Sequence, residues 1–237
     1  MFNLNVPRSL RNGMSDDKFR VYCNADAEGP VELLVMDEIG ESWYGEGVKA
    51  TDVVSFLSSN RGRDVNVRIN SPGGLVYDGL VIYNNLKQHD GIVTVTIEGL
   101  AFSAASFIAM AGDTIRMHEA SDIGIHRAWG GGVGNAKTMR GVAEWLDQID
   151  SHLVEIYQAK TGAGENQINE WLDGTDDGTL FSAKEAVRFG FADELIPIKE
   201  AGKTDSKSME SISNRRRCEI ASMMRELQQN RYIKNHS

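Results

Sequence analysis

DVNVRIN, residues 64–70, alternates apolar and polar side chains, the two-residue period of a β-strand with one buried face. Further apolar runs of strand character stand at VELLVMDEIG (31–40), GIVTVTIEG (91–99), DTIRMHEA (113–120) and SDIGIHRAW (121–129). Between them, ATDVVSFLSSN (50–60) and LVYDGLVIYNNLKQH (75–89) space their apolar residues for helices, with Thr51 as the expected N-cap of the first. SPGG (71–74) breaks the chain between strand and helix. Gly99 is expected to end its strand, and GLAFSAASFIAMAGD (99–113) enters a helix just after it. Strand, turn and helix recur in that order, which predicts an α/β fold with a largely parallel, buried sheet.

The pattern changes after GGGVGN (130–135), a flexible connector. AKTMRGVAEWLDQIDSHLVEIYQAKTG (136–162) places Val142, Leu146, Ile149, Leu153 and Ile156 on one face of a long helix over 136–161, closed by Gly162. Such a stripe either packs into the core or projects to meet another subunit. Beyond ELIPI (194–198), KEAGKTDSKSMESIS is a polar linker, and RRRCEIASMMRELQQNRYIKNHS is either a short basic amphipathic helix or a solvated tail. The organisation expected is a flexible arm over 1–17, one domain over 18–199, and a polar linker with a basic tail over 200–237.

A chain of 237 residues with 41% hydrophobic and 25% charged residues fits one globular domain of this kind. Its net charge of −9 argues against nucleic acid as a partner, because phosphate affinity needs clustered Lys and Arg. No apolar run approaches the roughly 20 residues that span a bilayer, and MFNLNVPRSLRNG has no apolar core of a signal peptide. Cys23 and Cys218 lie far apart and form no metal or redox motif, so the reducing cytoplasm is the expected location, with no cofactor or metal.

The serines of the 99–113 stretch pose the chemical question. A nucleophilic serine needs a base, an acid that orients the base, and N–H donors where an oxyanion forms. Ser103 falls at about the first helical turn. Ser106 lies one turn further in, where its hydroxyl would bond back to a helix carbonyl. Ala101, Ala104 and Ala105 leave room for a substrate backbone, and the glycines of NSPGG could aim N–H groups at a bound carbonyl. Of five histidines, His126 ends the apolar run SDIGIH; His89, His118, His152 and His236 sit in polar or helical surroundings.

INSPGG, GLAFSAASFIAMAG and IGIHRAWGG, in this order, resemble the ClpP family of self-compartmentalising serine proteases, in particular the ClpP-like proteases of tailed phages and prophages. DEIGESWYGEGVKA and LFSAKEAVRFGFADEL also resemble that phage branch, and the likeness covers roughly residues 30–198. It implies the ClpP/crotonase-like fold, with repeated β-β-α units and a projecting long helix. It also implies Ser103 as nucleophile, His126 as base, and the backbone N–H groups of Gly74 and Ala104 as oxyanion donors. The family's acid precedes its SAxEA segment, here TDDGTLFSAKEA. A gapless match puts Gly178 at that place, whereas a shift of one residue lets Asp177, or its neighbour Asp176, orient His126. The other reading is that DDG is only a turn and the chemistry is that of a Ser–His dyad.

The implied partners follow the family. They are a protein or peptide substrate, which in the phage branch is capsid or scaffold protein, and copies of the chain in a ring, two of which can stack. A separate AAA+ unfoldase is a further partner, since no GxxxxGK[ST] phosphate loop is present. Three alternatives stay open: a crotonase-like acyl-CoA enzyme, a Ser–Lys peptidase using Lys137, and a catalytically silent ring subunit.

Overall fold

The computed structural model describes residues 29–42, 45–175 and 178–198. The expected arm (1–17), the linker and basic tail (200–237), Cys23, Cys218, His236, Asp176 and Asp177 lie outside the described residues. The elements run β1 (Val31–Val35), β2 (Glu41–Ser42), β3 (Gly45–Glu46), α1 (Ala50–Ser59), β4 (Val65–Ser71), α2 (Val76–Lys87), β5 (Val93–Phe102) and α3 (Ala104–Ala109). They continue with β6 (Thr114–His118), β7 (Asp122–Ile125), α4 (Ala136–Thr161), α5 (Glu165–Asp173), β8 (Thr179–Ser182), α6 (Ala183–Phe189) and β9 (Glu194–Ile196).

The architecture is the mixed α/β one expected. β1, β4, β5, β6 and β9 lie in that order, every neighbouring pair parallel. β5 is long enough to serve two partners on one side: Thr94–Ile97 pair with β6, and Leu100–Phe102 pair in parallel with β7. β8 closes antiparallel on β7.

The period of two that marked β4 divides the sheet into two faces. Val65, Val67 and Ile69 are fully buried beside Val31, Leu33 and Val35 of β1 and Val95 and Ile97 of β5, under α1, α2 and α3. The other face carries polar cross-strand pairs, Arg68 with Glu98 and Arg116 with Glu194. This sheet is therefore apolar on one side only, which explains why its strands alternate where a parallel sheet covered on both sides reads as continuous apolar runs.

Two local expectations change. α1 begins at Ala50, with Lys49 in extended conformation at its N-cap, so Thr51 lies inside the first turn. The Ala50 N–H instead reaches Asp78 of α2 at 3.4 Å, so a neighbouring helix supplies the acceptor that a capping hydroxyl would have given. Gly99 does not end its strand. β5 runs on to Phe102 because β7 pairs with its last residues, and Gly99 stands where β4 bulges between Ile69 and Ser71. A Cβ there would come within 2.6 Å of the Asn70 side chain, whose Oδ1 accepts from Leu100 N–H.

α4 answers the question about its stripe in two halves. Asn135 caps it by accepting from the N–H groups of Lys137 and Thr138, and Gly162 ends it at φ 71°. Ile149, Leu153 and Ile156 are buried in the body, whereas Val142 and Leu146 are half-buried and Met139 and Trp145 are exposed. The apolar residues of the second half are core, whereas the first half lies at the surface, where Trp145 donates to the Tyr77 hydroxyl of α2 at 2.7 Å. Among the described residues no helix is long and apolar enough to cross a membrane.

Ile97 lies fully buried in β5, the strand that carries the most pairings. Ile97→Ala should destabilise the fold by about 2–5 kcal/mol through lost burial and a residual cavity, measured by urea unfolding at fixed protein concentration.

Candidate active site

Ser103 stands at the sharp turn between β5 and α3, with φ 54° and ψ −124°. It is the one non-glycine residue at positive φ among the described residues. An L-residue with a side chain avoids this region, so the surrounding contacts must hold it. They are visible. Phe102 pairs with Gly124 of β7, and the Ser103 N–H donates to the Gly124 carbonyl at 3.0 Å. On the far side, the Ser103 carbonyl accepts from the Ser106 N–H at 2.9 Å and closes the first turn of α3.

The SPGG turn presses on the same place. Ser71 Oγ donates to the Asp37 carbonyl at 2.6 Å and accepts from the Gly73 N–H at 3.1 Å. Gly73 lies at φ 89°, where a Cβ would stand 2.6 Å from the Ser103 Cβ and 2.8 Å from the Ala104 nitrogen. Only glycine permits that approach. Gly74 is pressed on Ile39, whose N–H and carbonyl bond the flanking Gly73 carbonyl and Leu75 N–H at 2.8 and 2.9 Å. These glycines are thus packed and stitched to the strand edge by their neighbours. Among the described residues no acceptor takes the N–H of Gly74 or of Ala104.

His126 follows β7 directly and is 8% exposed. Its ring stacks on Phe102, the residue before Ser103, with centroids 5.1 Å apart and planes 18° from parallel. The register explains the meeting. β5 and β7 are parallel neighbours paired up to Phe102 and Gly124, so both chains leave the sheet at the same edge, carrying Ser103 and His126. The turn before β8 reaches the same point. Gly178, at φ 114°, lies so close that a Cβ on it would stand 2.6 Å from the His126 Cβ.

The next residue anchors the segment. Arg127 donates to Asp173 of α5, to Asp150 of α4 at 3.3 Å and to Asn169 at 3.1 Å, while Asp150 Oδ1 accepts from the Ala128 N–H at 2.6 Å. Sequence reasoning passed over this cluster; the signal was an Arg next to the histidine and an Asp one residue after Ile149 on the apolar stripe of the long helix. The other sequence candidates sit elsewhere. His89 bonds the Arg63 carbonyl at 2.7 Å, His152 is exposed on α4, and His118 ends β6. Lys137 is exposed in the first turn of α4, and Ser106 is wholly buried beneath Ser103.

The model of the Clp protease family matches residues 34–199, a span that takes in every element just described from the end of β1 to β9. This chain belongs to the Clp protease family. A Clp protease is a serine-type peptidase, and a strand-to-helix serine whose preceding residue stacks on a buried histidine is consistent with that class. Among curated proteins the chain is similar to the ATP-dependent Clp protease proteolytic subunit of Bacteroides fragilis. The two are 30% identical over 141 residues, which cover 59% of this chain and 67% of the relative.

The Arg127 cluster gives this Clp protease chain a pH signature. The Arg127 guanidinium holds the Asp173 carboxyl below its ordinary value, and a group so depressed stabilises the fold above its unfolded pKa and loses that contribution as pH falls through the folded one. The stability difference between the native chain and Arg127→Gln should therefore be present at neutral pH and shrink in acid. Denaturant titrations of both proteins across that range measure it. The pair is largely exposed, so the difference is also reduced by salt.

Proposed function

We propose that the chain is a serine endopeptidase in which Ser103 is the nucleophile, His126 the general base, and the Gly74 and Ala104 amides the oxyanion donors. The observation that carries this reading is the Ser103 turn. A strained backbone conformation is held at a serine, beside a buried histidine and two amides without acceptors among the described residues. In this scheme the Ser103 hydroxyl oxygen bonds to the scissile carbonyl carbon as its proton passes to the His126 imidazole. The carbonyl oxygen takes the negative charge and lies against the two N–H groups. Collapse breaks the C–N bond, and the imidazolium returns the proton to the leaving amine. Water then repeats the sequence on the acyl-serine, with His126 as base again.

Asp177 is proposed as the acid that orients His126. It is bonded to Gly178, and Gly178 abuts the His126 Cβ, so the chain position favours Asp177 over any acid in α5. Asp173 is already committed to Arg127. The domain over 18–199 is the protease body in this reading, and the surface half of α4 is the part that meets a facing ring of copies, as the family's ring assembly implies.

The substrate favoured is the chain's own phage capsid or scaffold protein, on the strength of the phage-like segments DEIGESWYGEGVKA and LFSAKEAVRFGFADEL. A second reading, a proteolytic subunit served by an AAA+ unfoldase in the cytoplasm, is favoured by the name of the Bacteroides fragilis relative. Co-expression with capsid and scaffold proteins distinguishes them: specific cleavage without an ATPase supports the first, and cleavage that needs one supports the second.

A fluorophosphonate probe tests the chemistry. The native chain should be modified at Ser103, with labelling abolished by Ser103→Ala and reduced at least about 10³-fold by His126→Ala. Asp177→Asn should cost up to about 10⁴ in turnover if it orients the base, while Asp176→Asn costs little. Absence of labelling in assembled native protein favours a crotonase-like or silent subunit, and labelling that survives His126→Ala but not Lys137→Ala favours a Ser–Lys peptidase.

A further inference from the structure

Ser106 and Tyr157 are fully buried polar side chains for which the chemistry above has no use. They touch: the Ser106 Oγ and the Tyr157 Oη lie 2.7 Å apart, although α3 and α4 are separated by a long stretch of chain. The Ser106 hydroxyl also donates to the Ser103 carbonyl at 2.5 Å. A serine hydroxyl has one proton. With that proton on the Ser103 carbonyl, the proton between the two hydroxyls belongs to Tyr157, so the bonds run in one direction from Tyr157 O–H to Ser106 O–H to the Ser103 carbonyl. Burial pushes the Tyr157 phenol above its ordinary value, and the bond to Ser106 opposes this; the net result keeps the phenol a donor at every working pH. Phe191 closes the pocket edge-on against the Tyr157 ring at 5.9 Å.

The position of that carbonyl matters because of peptide geometry. A trans peptide is planar, so the C=O of Ser103 and the N–H of Ala104 lie in one plane and point in opposite directions. Whatever fixes the carbonyl fixes the aim of the amide. The carbonyl is held by the Ser106 N–H at 2.9 Å and by the Ser106 hydroxyl, while Ser103 itself is in a conformation its side chain disfavours. We propose that Tyr157 and Ser106 form a buried positioning relay that fixes the Ser103–Ala104 peptide plane and so aims the Ala104 N–H at the developing oxyanion. The inference rests on the peptidase reading and deepens it. Neither side chain is a catalytic residue, since neither touches substrate; both act through the nucleophile's own peptide bond. Tyr157 lies in the buried half of α4, so the helix whose other half lies at the surface also holds the oxyanion donor in place.

The test uses the full chain and a fluorophosphonate, whose phosphoryl oxygen occupies the oxyanion position in the adduct. Reaction rates over a range of probe concentration separate the affinity of the first encounter, KI, from the rate of bond formation, kinact. Ser106→Ala should lower kinact about 10-fold, a fraction of the 10²–10³ that loss of a whole oxyanion donor costs. Tyr157→Phe, which removes one oxygen and keeps the ring, should lower kinact about 3-fold, since misaim by a fraction of an ångström weakens rather than removes a donor. KI should stay at the native value in both. The double variant should be no slower than Ser106→Ala alone, because the two hydroxyls act in series. Thermal melting and sizing of each variant accompany the rates. Variants that react at the native kinact overturn the relay, as does a loss that falls on KI or that appears only with melting of the fold. Native protein that fails to react at Ser103 overturns the peptidase reading itself, a different result from reactive native protein with equally reactive variants.

Discussion

Three residues of β5, Leu100 to Phe102, pair in parallel with Asp122 to Gly124 of β7, and the whole site rests on that short ladder. It makes β5 outlast its pairing with β6, carries two chain segments off the sheet at one edge, and fastens the Ser103 N–H to the Gly124 carbonyl. Without the ladder Ser103 would keep only its carbonyl bonds to Ser106 and the press of Gly73 to hold it at positive φ, a region that an L-residue avoids. Phe102 then serves both sides of the junction. Its backbone is in the ladder, and its ring lies flat on His126.

Around this junction the fold uses glycine where two backbones must nearly touch. Gly73 meets Ser103 and Ala104, and Gly178 meets His126, each at distances that leave no space for a Cβ. The consequence at position 178 bears on chemistry as well as packing. A residue with a carboxylate side chain could not occupy that place without moving His126, so position 178 itself offers no acid to the histidine.

The site is also braced from behind. Arg127 ties the segment after His126 to α4 and α5 through Asp150, Asn169 and Asp173, and Tyr157 of α4 reaches the Ser103 carbonyl through Ser106. Asp150 and Tyr157, one from each brace, both stand in the buried half of α4. The same helix carries Met139 and Trp145 at the surface, 39% and 40% exposed, so it joins the site to an apolar outer face.

Periodicity alone located β1, β4, the opening of β5, β6, β7, α1, α2 and α4, because one-sided burial imposes a period of two on these strands and of 3.6 on these helices. Local chemistry marked Ser103, His126 and the glycine pair as candidates, since small residues and turn breakers announce themselves in any context. Other features depended on partners distant in sequence. The end of β5 moved from Gly99 to Phe102 because β7 lay beside it, and Thr51 lost its capping role to Asp78 of α2. α5 and α6 went unread although Ser182 and Glu185 form a capping box, for their apolar residues are few and make sense only against Trp171, Phe181 and Phe191. Ser106 read correctly as a hydroxyl turned back on its helix, yet its second partner, Tyr157, lies in another helix entirely. The order of residues therefore determined which segments would be strands and helices and which side chains could do chemistry. Only the folded chain decided which of those side chains meet, because meeting depends on strand register and on contacts between residues far apart along the sequence.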